Sequence, residues 1–235
     1  MVVVHDDREA LVAAAAERLA AVITELIAER GRATIALTGG SVGIELLAGL
    51  VHCPIDWERV VVTWSDERFV AADSPDRNAR QAREALLDRV PIPAMNVREL
   101  PAAGDGTLDE AADRATAMLE GLGAVDVTLL GMGPDAHVAS LFPGLPGVRE
   151  TGAGVIGVRD SPKPPPERLS FTLGAINASD RVWLVVAGAD KAGAVRLARS
   201  GAPADAAPAA AVHGTLETVL LLDAEAAALL EQGGR

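Results

Sequence analysis

The chain has 235 residues, of which 49 % are hydrophobic, so it can bury the core of a folded protein and is not an intrinsically disordered chain. Its formal net charge of -12 repels phosphate backbones, and an aromatic content of 3 % leaves few surfaces for stacking on bases, which argues against nucleic acid as a partner. One cysteine excludes an internal disulfide and a cysteine-rich metal site, and neither a membrane-spanning stretch nor a signal peptide is apparent, so we expect a cytoplasmic protein.

Helical spacing alternates with short apolar runs along the whole chain. In the first predicted helix Leu11, Ala15 and Leu19 recur at intervals of four residues, and Asp6 with Glu9 resembles a capping box. In chain order, the pattern predicts helices over 6–30, 43–51, 78–90, 107–122, 192–199 and 223–230, and strands over 33–37, 59–64, 96–100, 125–130, 155–158, 168–173, 181–186 and 219–222.

This alternation predicts an α/β fold with a mostly parallel sheet and helices on both faces. No composition shift, long linker or internal repeat divides the sequence, so we expect one domain over residues 1–235.

Polar and glycine-rich segments follow four of the predicted strands, at residues 38–41, 66–68, 135–137 and 188–191. Because the carboxyl ends of parallel strands lie at one edge of a sheet, where α/β proteins bind ligands, we expect these segments to converge. Thr38 and Asp66 are substrate-binding candidates there.

An apolar run that stops at Gly131 and Gly133 is followed by Asp135 and His137. A neutral imidazole is available near pH 7, so His137 is a candidate general base. Asp135 could hold the tautomer of the ring or bind substrate hydroxyls, or it could cap a following helix. No second histidine or cysteine lies at ligand spacing, so no metal site is expected.

Gly39, Gly40 and Ser41 lie between a predicted strand and a predicted helix, where backbone N–H groups can approach an anion. The segment matches neither a Walker loop nor the dinucleotide fingerprint, and a plain tight turn is the alternative. Arg68 and Lys191 could add fixed positive charge, or they could be solvated surface residues.

Five ordered motifs, spread over nearly the whole chain, resemble the 6-phosphogluconolactonase family, which shares a wider fold group with the glucosamine-6-phosphate deaminases. They lie at residues 37–41, 64–70 with Asn78 following, 131–137, 161–168 and 188–192. The resemblance implies a Rossmann-like fold and hydrolysis of 6-phospho-D-glucono-1,5-lactone to 6-phospho-D-gluconate in the oxidative pentose phosphate pathway, without metal or cofactor.

The resemblance also implies roles for individual residues. His137 is the base, Arg68 and Lys191 resemble the phosphate ligands of the family, and Arg168 matches a basic residue of its site. Gly39, Gly40 and Ser41 resemble its sugar-phosphate loop. The partner is therefore expected to be a phosphorylated sugar lactone, bound by a monomer or a small homo-oligomer.

Two positions depart from the family pattern: Ala136 replaces the usual glycine and Val138 the usual threonine. Two alternatives stay open. One is deaminase chemistry, which uses an acidic residue five positions after the histidine, where this chain has Phe142. The other is a sugar-phosphate sensor without catalysis, which would not need His137.

Overall fold

Two β-sheets organise the computed structural model, which describes residues 1–104 and 106–230. The strands are β1 (Val2–His5), β2 (Ala33–Leu37), β3 (Val60–Trp64), β4 (Asp66–Arg68), β5 (Val127–Leu130), β6 (Val155–Val158), β7 (Arg168–Phe171), β8 (Arg181–Val186) and β9 (Glu217–Asp223). The larger sheet has the order β1-β9-β8-β5-β2-β3 with parallel neighbours, and the smaller sheet has the antiparallel order β4-β7-β6.

Helices pack against both sheets. They are α1 (Arg8–Arg30), α2 (Gly40–Gly49), α3 (Asn78–Ala85), α4 (Leu108–Leu122), α5 (Leu173–Asn177) and α6 (Ala192–Ala198). Helix α1 packs on α2 and contacts β1, β2 and β9, whereas α4 packs on β6 and β7. The predicted α/β class with a mostly parallel sheet is confirmed.

The order in which successive strands are added to the larger sheet reverses between β2 and β5. From β2 the chain crosses to β3 on one side, whereas β5 adjoins β8 on the other. The connections after the two central strands therefore diverge and leave a crevice at their carboxyl ends. Both strands are fully buried, so this crevice lies at the end of the buried centre of the sheet.

Some local predictions are wrong. No helix forms over 223–230: Asp223 is the last residue of β9, and residues 224–229 form turns. The Asp223 carboxylate accepts hydrogen bonds from the N–H groups of Ala226 and Gly188. Residues 96–100 contribute one bridge, between Val97 and Val62, instead of a strand. Asp7 rather than Asp6 caps α1, because its side chain reaches the N–H of Ala10.

Strands β1 and β4 were not expected from the sequence. Strand β4 is Asp66-Glu67-Arg68, three charged residues without an apolar signal. It is extended because it pairs with β7, about a hundred residues later, and such distant pairing leaves no local periodicity.

Candidate active site

A pocket of about 260 Å³ lies at the crevice between the ends of β2 and β5. Its walls come from both sheets and from a proline-rich loop at residues 161–166. Seven of the predicted site residues line it: Thr38, Gly39, Gly40, Asp66, Arg68, His137 and Arg168.

Ser41 and Lys191 line a second pocket of about 320 Å³. The two pockets adjoin, because Gly39, Gly40 and Gly131 belong to the walls of both. The predicted residues therefore converge on two connected pockets, with the glycine loop between them.

His137 and Asp135 form a hydrogen-bonded pair, with 2.5 Å between the histidine Nδ1 and the aspartate Oδ1. An ionised carboxylate only accepts, so Nδ1 carries the proton and Nε2 keeps its lone pair. Nε2 makes no hydrogen bond to any residue in the described part of the chain. The ring thus has one nitrogen fixed and the other free to take a proton.

The surroundings of His137 favour its neutral form. Burial lowers the pKa of the imidazole, the Asp135 carboxylate opposes this shift, and the positive charge of Lys163 adds to it, while Asp66 acts in the opposite sense. Burial alone would raise the pKa of Asp135, but the hydrogen bond and charge of the His137 ring outweigh it, so that pKa lies below its usual value. At neutral pH the pair is a neutral imidazole on an ionised carboxylate.

The loop after β5 holds this pair in a tight turn. The N–H of Gly133 donates to the carbonyl of His137 at 3.0 Å, and a Cβ at Gly133 would clash with the His137 ring and the Asp135 carboxylate. Ala136, between the two side chains, has φ of 63°, a left-handed conformation that favours glycine. No helix follows within residues 138–145, so the capping role considered for Asp135 is wrong.

The smaller sheet places two arginines face to face. Arg68 on β4 and Arg168 on β7 are direct cross-strand partners, and both line the first pocket. Like charges in directly opposite positions destabilise a sheet, so this pairing is typical of a site that binds an anion. Burial lowers the pKa of Arg168, Asp66 opposes the shift, and Arg68 adds to it.

Asp66 is anchored on both its side chain and its backbone. Its carboxylate accepts a hydrogen bond from the Ser140 hydroxyl at 2.7 Å, and its carbonyl accepts one from the Asn78 amide at 2.9 Å. The pocket therefore contains a fixed carboxylate, suited to accepting hydrogen bonds from sugar hydroxyls.

The glycine loop has the form of an anion site. Gly39 precedes α2 without a side-chain cap, and Gly40 has φ of 81°, so the first N–H groups of the helix are not used by a capping side chain. Thr38 accepts a hydrogen bond from the N–H of Gly131, which ties the two loops together. Asn78 lies so close to Gly39 that a Cβ there would clash with its amide.

Lys191 contributes from the loop after β8. Its ammonium forms an ion pair of 2.9 Å with Asp190 and faces the second pocket. Lys191 therefore does not share a pocket with His137, and a ligand must span the connected pockets to reach both.

Four contributors were not predicted as site residues: Asn78, Gly133, Phe142 and Lys163. Asn78, Gly133 and Lys163 lie within or beside the motifs of the resemblance. The roles of Asn78 and Lys163 depend on contacts with distant segments, whereas Gly133 acts within its own turn. Across residues 1–104 and 106–230, no group of three histidine, cysteine, aspartate or glutamate side chains could hold a metal ion, and no helix is long and apolar enough to cross a bilayer.

Comparisons with known proteins identify the family of the chain. Residues 6–221 match the family model of glucosamine-6-phosphate isomerases/6-phosphogluconolactonase, and the chain belongs to this family. It is 49 % identical to the 6-phosphogluconolactonase of Streptomyces coelicolor, over 97 % of this chain and 94 % of that protein. It is 48 % identical to the 6-phosphogluconolactonase of Mycobacterium leprae, over 96 % of each chain.

The fold resembles solved structures of the same class. The crystal structure of 6-phosphogluconolactonase from Thermotoga maritima superposes with a TM-score of 0.87 and 26 % identity, over 95 % of this chain and 99 % of that one.

Proposed function

We propose that the protein hydrolyses 6-phospho-D-glucono-1,5-lactone to 6-phospho-D-gluconate in the oxidative pentose phosphate pathway, with His137 as general base. The observation that carries the proposal is the His137–Asp135 pair, whose free Nε2 belongs to a pocket lined by Arg68 and Arg168. A base beside paired cations suits a neutral ester that carries a phosphate. The names of the relatives support the same reaction.

The phosphate is assigned to the boundary between the two pockets. The N–H groups of Gly40 and Ser41 at the start of α2, together with Lys191 and Arg168, offer hydrogen bonds and positive charge there. This anchoring holds the lactone ring in the first pocket, where Asp66 accepts hydrogen bonds from its hydroxyls.

The chemistry at C1 then needs one base and one cation. Neutral His137 takes a proton on Nε2 from a water molecule, whose oxygen forms a bond to C1, and negative charge builds on the carbonyl oxygen. Arg68 lies in the same pocket, has a buried Nε without a partner in the described structure, and is assigned to this oxyanion.

The intermediate collapses when the bond between C1 and the ring oxygen breaks. The imidazolium returns its proton to the departing ring oxygen, which becomes a hydroxyl, and C1 becomes a carboxylic acid that loses its proton to water. Asp135 stabilises the transient imidazolium and keeps the ring in the productive tautomer. No metal or cofactor is part of this scheme.

Deaminase chemistry is the weaker reading of the same site. Phe142 is buried where that chemistry would use an acidic residue, and Glu150, the next carboxylate in the chain, lines a surface groove elsewhere. A sensor without catalysis would bind the same sugar phosphates, but it has no use for an imidazole prepared as a base. We also propose a cytoplasmic monomer or small homo-oligomer that does not bind nucleic acid.

The test is acid release from freshly prepared 6-phosphogluconolactone above its spontaneous rate. His137→Gln should lose about 10²- to 10⁴-fold in kcat with an unchanged unfolding midpoint. The matched control is His213→Gln, which replaces an exposed histidine away from both pockets and should leave turnover unchanged. Near-normal turnover in His137→Gln would refute the base, and ammonia release from glucosamine 6-phosphate by the wild type would favour the deaminase.

A further inference from the structure

The chain contains two lysines, Lys163 and Lys191, among 21 lysines and arginines. Lys163 lines the first pocket and Lys191 the adjoining one. A protein that uses arginine at its 19 other basic positions thus places both of its lysines at the candidate site. The lysine ammonium is a compact point charge with three donors, which suits the oxygens of a phosphate that can be approached from several sides.

The backbone of Lys163 is held in place. Its carbonyl accepts hydrogen bonds from the Ser161 hydroxyl and the Arg168 guanidinium, each at 2.9 Å, and its N–H donates to the Ser161 oxygen at 3.3 Å. Arg168 also donates to the carbonyls of Pro164 and Pro165, and these prolines stiffen the loop. The Lys163 side chain therefore extends from a fixed point, which lowers the entropy cost of using it to bind a ligand.

Lys163 lies close to two other positive charges. Burial lowers the pKa of its ammonium, Asp135 opposes this, and Lys191 and Arg168 lower the pKa further. Within the described residues the ammonium has no carboxylate within 4.0 Å. Lys163 thus has two cations near it, Arg168 from the same loop region and Lys191 from the loop after β8, and an anion that contacts Lys163 would relieve this repulsion.

We propose that Lys163 is a phosphate ligand of the substrate, bringing a third cation from the proline loop to the anion that Arg168, Lys191 and the glycine loop hold. This role rests on the proposed function, since it names a further contact of the same substrate. Arg168 then has two roles. Its guanidinium fixes the loop that carries Lys163, and it also lines the pocket.

The experiment compares Lys163→Gln, Lys163→Arg and the wild type on 6-phosphogluconolactone and on unphosphorylated glucono-1,5-lactone. For the phosphorylated lactone, Lys163→Gln should raise KM by about 10- to 100-fold with kcat within about twofold, and Lys163→Arg should recover part of the loss. At pH 8, where His137 stays neutral without the Lys163 charge, the rate on the unphosphorylated lactone should stay within about twofold. The matched control is Arg159→Gln, which removes an exposed charge four residues away.

An unchanged KM in Lys163→Gln, or a loss of kcat on both lactones, would overturn the role at the phosphate. A loss of kcat on both lactones would place Lys163 at the lactone carbonyl instead of the phosphate. A wild type without lactonase activity would instead overturn the proposed function, so the two failures are distinguishable.

The scarcity of lysine allows a direct check on the wild type. Pyridoxal 5′-phosphate forms an imine with a lysine amine by loss of water, and borohydride reduces that imine to a stable amine that peptide mapping locates. We expect labelling at Lys163 that 6-phosphogluconate suppresses and gluconate does not. Labelling that both compounds leave unchanged would contradict a phosphate contact at Lys163.

Discussion

The ring of Phe142 lies against the imidazole of His137, with 4.5 Å between the ring centroids and 40° between the ring planes. The Arg168 guanidinium lies 5.9 Å from the centroid of the same phenyl ring. Phe142 therefore lies close to both the base and a cation, and it covers part of the imidazole from water. This shielding contributes to the burial that lowers the pKa of His137.

Replacing Phe142 with leucine should let water reach the imidazole and raise its pKa toward the ordinary value. A base works only when unprotonated, so kcat/KM falls as the pH drops through the pKa of His137, and this acid limb should move to higher pH in Phe142→Leu. The charges that face the ring, on Asp135, Asp66 and Lys163, are the same in both proteins. Initial rates between pH 5 and 8 measure the shift.

The control for that variant is Phe171→Leu, which removes the same volume from a fully buried position on β7. Both variants should lose about 1–2 kcal/mol of unfolding free energy. An acid limb that stays in place in Phe142→Leu, or moves equally in the control, would show that Phe142 does not set the pKa of the base.

Gly133→Ala should inactivate the enzyme without unfolding it. The added Cβ would clash with the His137 ring and the Asp135 carboxylate, so the pair must separate. We expect kcat to fall to within about tenfold of the His137→Gln value, since both variants remove general-base help.

Gly193→Ala provides the comparison for Gly133→Ala. Gly193 lies in α6 with no atom within 4 Å of an added Cβ, so alanine there should keep full activity and stabilise by up to about 1 kcal/mol. Full activity in Gly133→Ala would mean that the loop relaxes and that the pair does not depend on this glycine.

Position 136 should tolerate glycine with little loss of stability, whereas valine there should destabilise the fold. Its φ of 63° strains any side chain, and a β-branched one most. Glycine relieves the strain but gives up a buried methyl group and gains freedom in the unfolded chain, so Ala136→Gly should stay within about 1 kcal/mol of the wild type. Ala136→Val should lose about 2–3 kcal/mol. Urea unfolding measures both, and equal stability of the two variants would argue against the left-handed backbone.

Glu67 should be needed for stability beneath the site. Its fully buried carboxylate accepts hydrogen bonds from the N–H groups of Arg68, Asn78 and Ala79 at 2.7–2.8 Å and faces buried Arg77 at 3.7 Å. Glu67→Gln turns an amide donor toward N–H groups and leaves Arg77 with less compensating charge, so it should cost about 2–4 kcal/mol.

The comparison for Glu67→Gln is Glu45→Gln, in an exposed pair with Arg8, which should cost less than about 1 kcal/mol. Because Glu67 fixes the backbone of Arg68, Glu67→Gln should also lower kcat. A loss equal to that of Glu45→Gln in the same urea titration would contradict the buried network.

Local sequence was enough for most of the helices and for the strands of the larger sheet other than β1. Thr107 and Glu110 form a capping box at the start of α4, a pairing that the residue types at these positions favour. The buried strands β2 and β5 lie within the apolar runs of the sequence. These elements were predictable because their signals come from neighbouring residues. Strand β4 was not, because its three charged residues become a strand through pairing with β7.

The site shows the same division. The sequence alone determined the α/β class, the glycine loop, and the candidate pair Asp135 and His137, since two residues of spacing after a glycine turn already limit where the side chains can go. The tertiary structure decided that Arg68 faces Arg168, that Lys191 occupies an adjoining pocket, and that Phe142 covers the base. The first two relationships join segments far apart in the chain, and the third depends on how the irregular loop after β5 turns, so no local sequence pattern predicts them.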